Sequence, residues 1–138
     1  MEYIENNLTY EDYVALRTSV GWWSLGEEQT RKGIGNSAYA ITVTDNGQTV
    51  GMGRMIGDGL YFLIADVVVR PEYQGRGIGS QIMDKLIAYA EQQTPIGGRV
   101  SVQLLSDVGK EGFYIKKGFR QLPHEYCGSG MRKVIYKE

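Results

Sequence analysis

The segment Gln74-Gly75-Arg76-Gly77-Ile78-Gly79-Ser80 sets three glycines on alternate positions at the front of a helical pattern. A helix N-terminus carries N–H groups with no intrahelical acceptor and about half a positive charge, so it receives phosphate well. Glycine lets the chain turn sharply there and lets a ligand touch main chain with no Cβ in the way. Arg76 adds a mobile cation. These residue types point to an anion cradle; the competing reading is a turn that only joins strand to helix. Two phosphate motifs fail against the segment. No Gly-Lys-Ser/Thr triplet closes the loop, as a P-loop requires. The dinucleotide fingerprint Gly-x-Gly-x-x-Gly breaks at Ser80, and no acidic residue ends a second strand around Pro95.

Asp66 is the second candidate, the only charge in the otherwise apolar run from Leu60 to Val69. Burial raises the pKa of a carboxyl group, which suits it to take a proton as a general base. The same residue equally fits a structural hydrogen-bond acceptor at a strand bulge, with water carrying the proton to bulk. His124 and Cys127 share a Pro/Gly loop with no evident third partner, which argues against Cys–His nucleophilic catalysis. A single cysteine excludes an internal disulfide, and one histidine beside it is a poor basis for a metal site, so no metal is expected.

The elements that hold these residues follow from periodicity. Residues 2 to 9 suit a first strand, and Thr9 can cap a helix through "TYEDYVALRTSV". "SLGEEQTRKGI" is a weaker second helix, with Trp22–Trp23 at the corner before it. The chain from Ser37 to Val69 gives three antiparallel strands, turned at Asn46–Gly47 and Asp58–Gly59. The third of them, Leu60 to Val69, is apolar enough to be central and covered on both faces. Ile78, Ile82, Met83, Leu86, Ile87 and Ala90 recur at three- and four-residue spacings, so a helix runs from Gly77 to Gln93. "RVSVQLL" alternates as a strand, and "KEGFYIKKG" reads as a short helix ended by Gly118. "FRQL" and "MRKVIYK" supply two last strands. The order predicts an α+β fold, a mixed α/β sandwich, rather than a strictly alternating one.

A third pattern does fit the glycine loop. "VVVRPEYQGRGIG" contains Gln/Arg-x-x-Gly-x-Gly/Ala and resembles the acetyl-CoA site of the GNAT N-acetyltransferases. Downstream, "FYIKKGF" (113 to 119) is similar to that family's Leu/Phe-Tyr-x-x-x-Gly-Phe segment. The resemblance covers roughly residues 36 to 120 well and the N-terminal part loosely. It implies a splayed, mostly antiparallel mixed sheet of about six to seven strands flanked by helices, with the strands Leu60–Val69 and Arg99–Leu105 parting. It further implies that acetyl-CoA, as acyl donor, lies in that gap against the main chain of Val67, Val68 and Val69. Its pyrophosphate would sit on the segment Gln74, Gly75, Arg76, Gly77, Ile78, Gly79 and Ser80. Tyr114 looks like the family's partner for the leaving thiolate. A phenol has a pKa of about 10 against about 8.5 for a thiol, so a strong hydrogen bond to the thiolate is easier than full proton transfer. Where the family often has Asn and Ala ahead of this tyrosine, the chain has Asp107 and Lys110. Asp107 is then either a pantetheine acceptor or a helix cap, and Lys110 either a phosphate contact or an exposed lysine.

Composition bounds the rest. The chain has 138 residues, 42 % hydrophobic and 22 % charged, and fits one domain, 1–138. Fifteen Lys+Arg against sixteen Asp+Glu give a net charge of −1, no electrostatic basis for binding nucleic acid or an anionic membrane. No stretch approaches the ~18 apolar residues of a membrane span, and the acidic N-terminus is unlike a signal peptide, so a cytoplasmic location is expected. The expected function is transfer of acetyl from acetyl-CoA to a primary amine in a ternary complex. The rival is a non-catalytic acyl-CoA-binding or sensor module, and a dinucleotide-binding oxidoreductase is a distant third. Expected partners are a small-molecule or peptide amine and a second copy of the chain in a homodimer, as in many relatives. Glu27 or Glu28 and the tryptophans would suit a cationic acceptor.

Overall fold

Asn46 and Gly47 take φ of 49° and 80°, the left-handed pair that a two-residue hairpin turn needs and that few other residues adopt. On either side run β2 (Tyr39–Asp45) and β3 (Gln48–Gly57), and β3 turns through Asp58 to β4 (Tyr61–Val69). The Asp58 carboxylate accepts from the N–H groups of Leu60 and Tyr61 at 2.9 and 3.0 Å, which fixes the second turn. In the computed structural model, which describes residues 1–138, β1 (Glu2–Glu5) and β5 (Ser101–Leu104) complete a sheet of order β1-β2-β3-β4-β5. All pairs are antiparallel except β4–β5, which is parallel.

Two units divide the chain, Met1–Leu105 and Ser106–Glu138. The first unit holds the sheet and three helices. Helix α1 (Tyr10–Ser19) starts where Thr9 accepts from the Asp12 N–H at 3.1 Å, the cap its sequence announces. Helix α2 covers Glu27–Gly35, and α3 covers Ile78–Gln93. One sheet face packs against α3 through Ile41, Val43, Met55, Ile78, Ile82 and Leu86, all buried. Gly53 permits that approach: a Cβ there would collide with Ile82 and sit 3.1 Å from Leu86. The other face packs against α1, with Leu16, Met52 and Val68 buried and Leu8, Tyr13, Val20 and Trp22 around them.

A β-bulge decides which residues meet which helix. The register runs Met55↔Ile64 and then Arg54↔Asp66, so Ala65 is an extra residue in β4. Phe62, ahead of the bulge, is on the α3 face, edge-on to Tyr89. Beyond it, Asp66 and Val68 are on the α1 face. One inserted residue swaps the faces of everything after it.

Two expectations are corrected. The sheet has five strands, not six to seven. "FRQL" and "MRKVIYK" form no ladder; an isolated bridge, His124↔Cys127, is the β pairing the second unit shows. Strand propensity needs a partner strand, and these segments have none in the chain. Nor is β4 covered on both faces: Tyr61 and Leu63 are 62 % and 41 % exposed, since α1 spans only the half of the strand beyond the bulge. The second unit holds α4 (Glu111–Ile115), closed by Gly118 at φ 94°, with the Phe119 N–H bonded to the Tyr114 carbonyl.

Candidate active site

The parallel β4–β5 ladder covers only Tyr61–Ile64 against Ser101–Leu104. From Ala65 onward β4 keeps β3 on one side and has no β5 partner on the other. Arg70 donates its N–H to Val50 at 2.9 Å. In an antiparallel ladder the main-chain groups alternate in direction, so Val68 also faces β3, while Val67 and Val69 face the open edge. The Val69 carbonyl is taken by Gln74 Nε2 at 2.9 Å, which ties the loop back to the strand. Among the three valines, the structure therefore brings Val67 to the edge with its N–H and C=O available. The side chain of Val68 is in the α1 core.

After Val69 a short 3-10 turn, Pro71–Tyr73, leads into the glycine loop. Gly75 and Gly77 adopt φ of 78° and 82°, and Gly77 is the N-cap of α3. No side chain caps that end and its first turn holds no acidic residue. By contrast, α1 carries Glu11 and Asp12 and α2 carries Glu27 and Glu28 in their first turns. The first-turn amides Ile78, Gly79 and Ser80 thus face an uncompensated dipole end, the arrangement that favours an anion. Arg76 lies over the Tyr73 ring, 4.8 Å from its centroid, and reaches the Glu72 carbonyl at 3.1 Å. Tyr73 is itself anchored to Asp45 at 2.9 Å. The cation is exposed and tethered beside the amides.

Asp66 is 4 % exposed. Its Oδ1 accepts from Arg17 Nη1 at 2.7 Å, and its Oδ2 accepts from Arg54 Nε at 3.0 Å and from the Tyr13 hydroxyl at 3.2 Å. Arg17 also binds the Trp23 carbonyl, and Arg54 binds the Gly33 carbonyl. The network joins α1, the segment after it, α2 and β3 to the bulge of β4. Burial, with the Asp66 charge second, holds the Tyr13 phenol above its ordinary pKa, so it remains a donor. Asp66 thus lies just past the bulge with both of its oxygens engaged, by three donors in all. The sequence reading missed Arg17, Arg54 and Tyr13; a lone carboxylate in an apolar strand was the signal that countercharges must exist.

Trp22 packs on the Leu16 cluster and under the Arg17 guanidinium at 5.2 Å, whereas Trp23 is 74 % exposed. A shallow depression of about 470 Å³ is lined by Gly26, Glu27, Glu28, Gln29 and Lys32. In the second unit, Tyr114 stands edge-on to Phe113 and Phe119 at 5.1 and 6.2 Å. Burial, then the negative charge of Asp107, raises its pKa above the usual phenol value, so it is a proton donor at neutral pH. Lys110 is the exposed N-cap residue of α4.

Residues 17–137 match the family model described as an acetyltransferase (GNAT) domain. Among solved structures, a protein of unknown function from meticillin-resistant Staphylococcus aureus, named as a probable acetyltransferase, is 33 % identical. The match covers 98 % of both chains with a TM-score of 0.83. A GNAT-family acetyltransferase from Streptococcus pneumoniae is 26 % identical, over 99 % of this chain and 98 % of that one, with a TM-score of 0.81. The chloroplastic serotonin N-acetyltransferase 2 of rice is 30 % identical over 115 residues, which are 79 % of this chain and 55 % of the rice protein.

Proposed function

The chain belongs to the GNAT acetyltransferase family, and from that premise we propose that it moves acetyl from acetyl-CoA to a primary amine by direct attack in a ternary complex. The observation that carries the proposal is the junction of two features in one unit. The edge of β4 is open from Ala65 onward, and the uncapped N-terminus of α3 follows it within one short loop. An extended pantetheine arm adds to such an edge as a strand would, and a pyrophosphate fits the amides of Ile78, Gly79 and Ser80 with Arg76 beside them.

In this reading Val67 offers its N–H to the carbonyl oxygen of the thioester, where negative charge develops as the amine attacks. The new C–N bond forms, the C–S bond breaks, and the sulfur leaves as a thiolate. Tyr114, kept protonated by its surroundings, donates a hydrogen bond to that thiolate. The proton that finally neutralises it comes through the ammonium formed by the attack. The carboxylate of Asp66 is held by two guanidiniums and fixes the bulge, so water takes one proton from the incoming ammonium before attack, leaving the neutral amine as nucleophile. Glu27 and Glu28 on α2, and the exposed Trp23 ahead of it, give a cationic amine its approach. Asp107 and Lys110 act on Tyr114 and on the surface rather than in bond making. A cytoplasmic location belongs to the same proposal.

Release of free thiol from acetyl-CoA in the presence of an amine panel tests it. Amine-dependent release is the expected result. Tight acetyl-CoA binding with no release under any amine would replace the enzyme by a non-catalytic acyl-CoA module, the reading that the engaged oxygens of Asp66 favour.

A further inference from the structure

Between α1 and α2 the chain passes through residues 22–26 without secondary structure. The turn into this segment folds back on α1. Val20 and Trp22 donate their N–H groups to the Arg17 carbonyl at 3.2 and 2.9 Å, with Gly21 at φ 80° between them. The Arg17 side chain grips the same segment. Its Nη2 donates to the Trp23 carbonyl at 2.9 Å, while its Nη1 donates to Asp66 at 2.7 Å. The guanidinium lies 5.5 Å from the centroid of the Tyr13 ring and 5.2 Å from that of Trp22. One planar fork therefore joins the exposed Trp23 to the residue that precedes Val67.

We propose that Arg17 is a positioning residue: it holds the segment carrying Trp23 in a fixed place relative to the Val67 N–H, and so orders the acceptor side of the site before the amine arrives. The inference rests on the acetyl-transfer reading, in which Val67 takes the thioester oxygen and Trp23 meets the amine. Charge balance at Asp66 does not require this second guanidinium. Arg54 Nε at 3.0 Å already neutralises the carboxylate, and the Tyr13 hydroxyl gives it a further donor. Arg17 is the more exposed of the two cations, at 21 % against 11 %, and it turns its other nitrogen to a main-chain carbonyl. An irregular segment left loose costs entropy when a ligand orders it. A charged donor makes the stronger hydrogen bond, and the guanidinium adds a fork and a stacking plane that an ammonium lacks.

Arg17→Lys separates positioning from charge, because it keeps a cation on Asp66 without the fork. With the amine that releases thiol fastest, its KM should rise about tenfold, the worth of a hydrogen bond to a charged group. Its kcat should stay within about twofold of the parent, as for binding shared by ground and transition states. Tm and the KM for acetyl-CoA should remain near the parent values. Arg54→Gln removes a guanidinium from Asp66 but its other main-chain bond is to Gly33, at the far end of α2; it should lower Tm and leave the amine KM alone. Time-resolved anisotropy of Trp23, read in Trp22→Phe protein, should gain a fast component with Arg17→Lys and Arg17→Gln and not with Arg54→Gln. Full rescue of KM by lysine, an equal rise in KM with Arg54→Gln, or unchanged Trp23 motion in both Arg17 variants would each overturn the proposal. A parent that turns over no amine would instead overturn the acetyl-transfer reading and the acceptor role with it, while the anisotropy still decides whether Arg17 holds the segment.

Discussion

Asp66→Asn keeps the shape of the side chain and removes the charge that two guanidiniums share. Arg17 and Arg54 are then left facing one another over a neutral amide in a site where Asp66 is 4 % exposed. Removing one partner of a buried ion pair costs roughly 3–5 kcal/mol. Arg17 is 21 % exposed and Arg54 11 %, so water screens part of the uncompensated charge, and about 3 kcal/mol is the fitting figure. For a chain of this length each kcal/mol moves Tm by about 3–5 °C, so thermal unfolding should fall by about 10 °C. A reserve of ~5–15 kcal/mol leaves the variant folded. The assay is a thermal melt of the four corners of a cycle with Arg54→Gln; the double variant should lose less than the sum, by about 1–3 kcal/mol. The pH–rate profile of Asp66→Asn should keep the acid limb of the parent. A variant that melts with the parent yet has lost that limb would refute the reasoning and make Asp66 the proton acceptor.

Tyr114→Phe should lower turnover by about tenfold or more and leave acetyl-CoA affinity unchanged; equal turnover removes the phenol from the mechanism. Gly53→Ala should cost about 1–3 kcal/mol by driving a Cβ into Ile82, read as a lower urea midpoint with an unchanged slope; a neutral result would mean α3 is not in close contact there. Tyr13, Tyr39 and Tyr114 all have pKa values raised in the folded chain, in each case first by burial. Their contribution is fully present below the unfolded phenol pKa of about 10 and is lost as pH rises through the higher folded values. From neutral pH up to about 10 the tyrosines should thus leave Tm unchanged, and above that Tm should fall, with tyrosinate absorbance appearing together with unfolding; tyrosinate formed in the still-folded chain would contradict this.

Much of the sheet was written locally. Asn46–Gly47 set the first hairpin, the three- and four-residue spacing set α3, and Thr9 set the start of α1, because each is decided by neighbours in sequence. The bulge was not legible. A simple hairpin register would place Arg54 opposite Ala65, and only the extra residue turns Asp66 to the α1 face, where Arg17 and Tyr13 wait. That choice is made by packing against a helix some fifty residues away in sequence. The final segments were misread for the opposite reason: "MRKVIYK" has local strand character, but a strand exists only with a partner. The geometry of the glycine loop was legible because positive φ at Gly75 and Gly77 and a first turn of α3 without carboxylates follow from residue types that are read directly in the sequence.

Calorimetric titration with acetyl-CoA, with NADH as the control dinucleotide, tests the central claim most directly. Saturable one-site binding of acetyl-CoA alone, weakened when Gly77→Asp sets a carboxylate at the head of α3, is the predicted result. No binding, or equal binding of both, would mean that the open edge of β4 and the amides of Ile78 to Ser80 do not form a coenzyme A site.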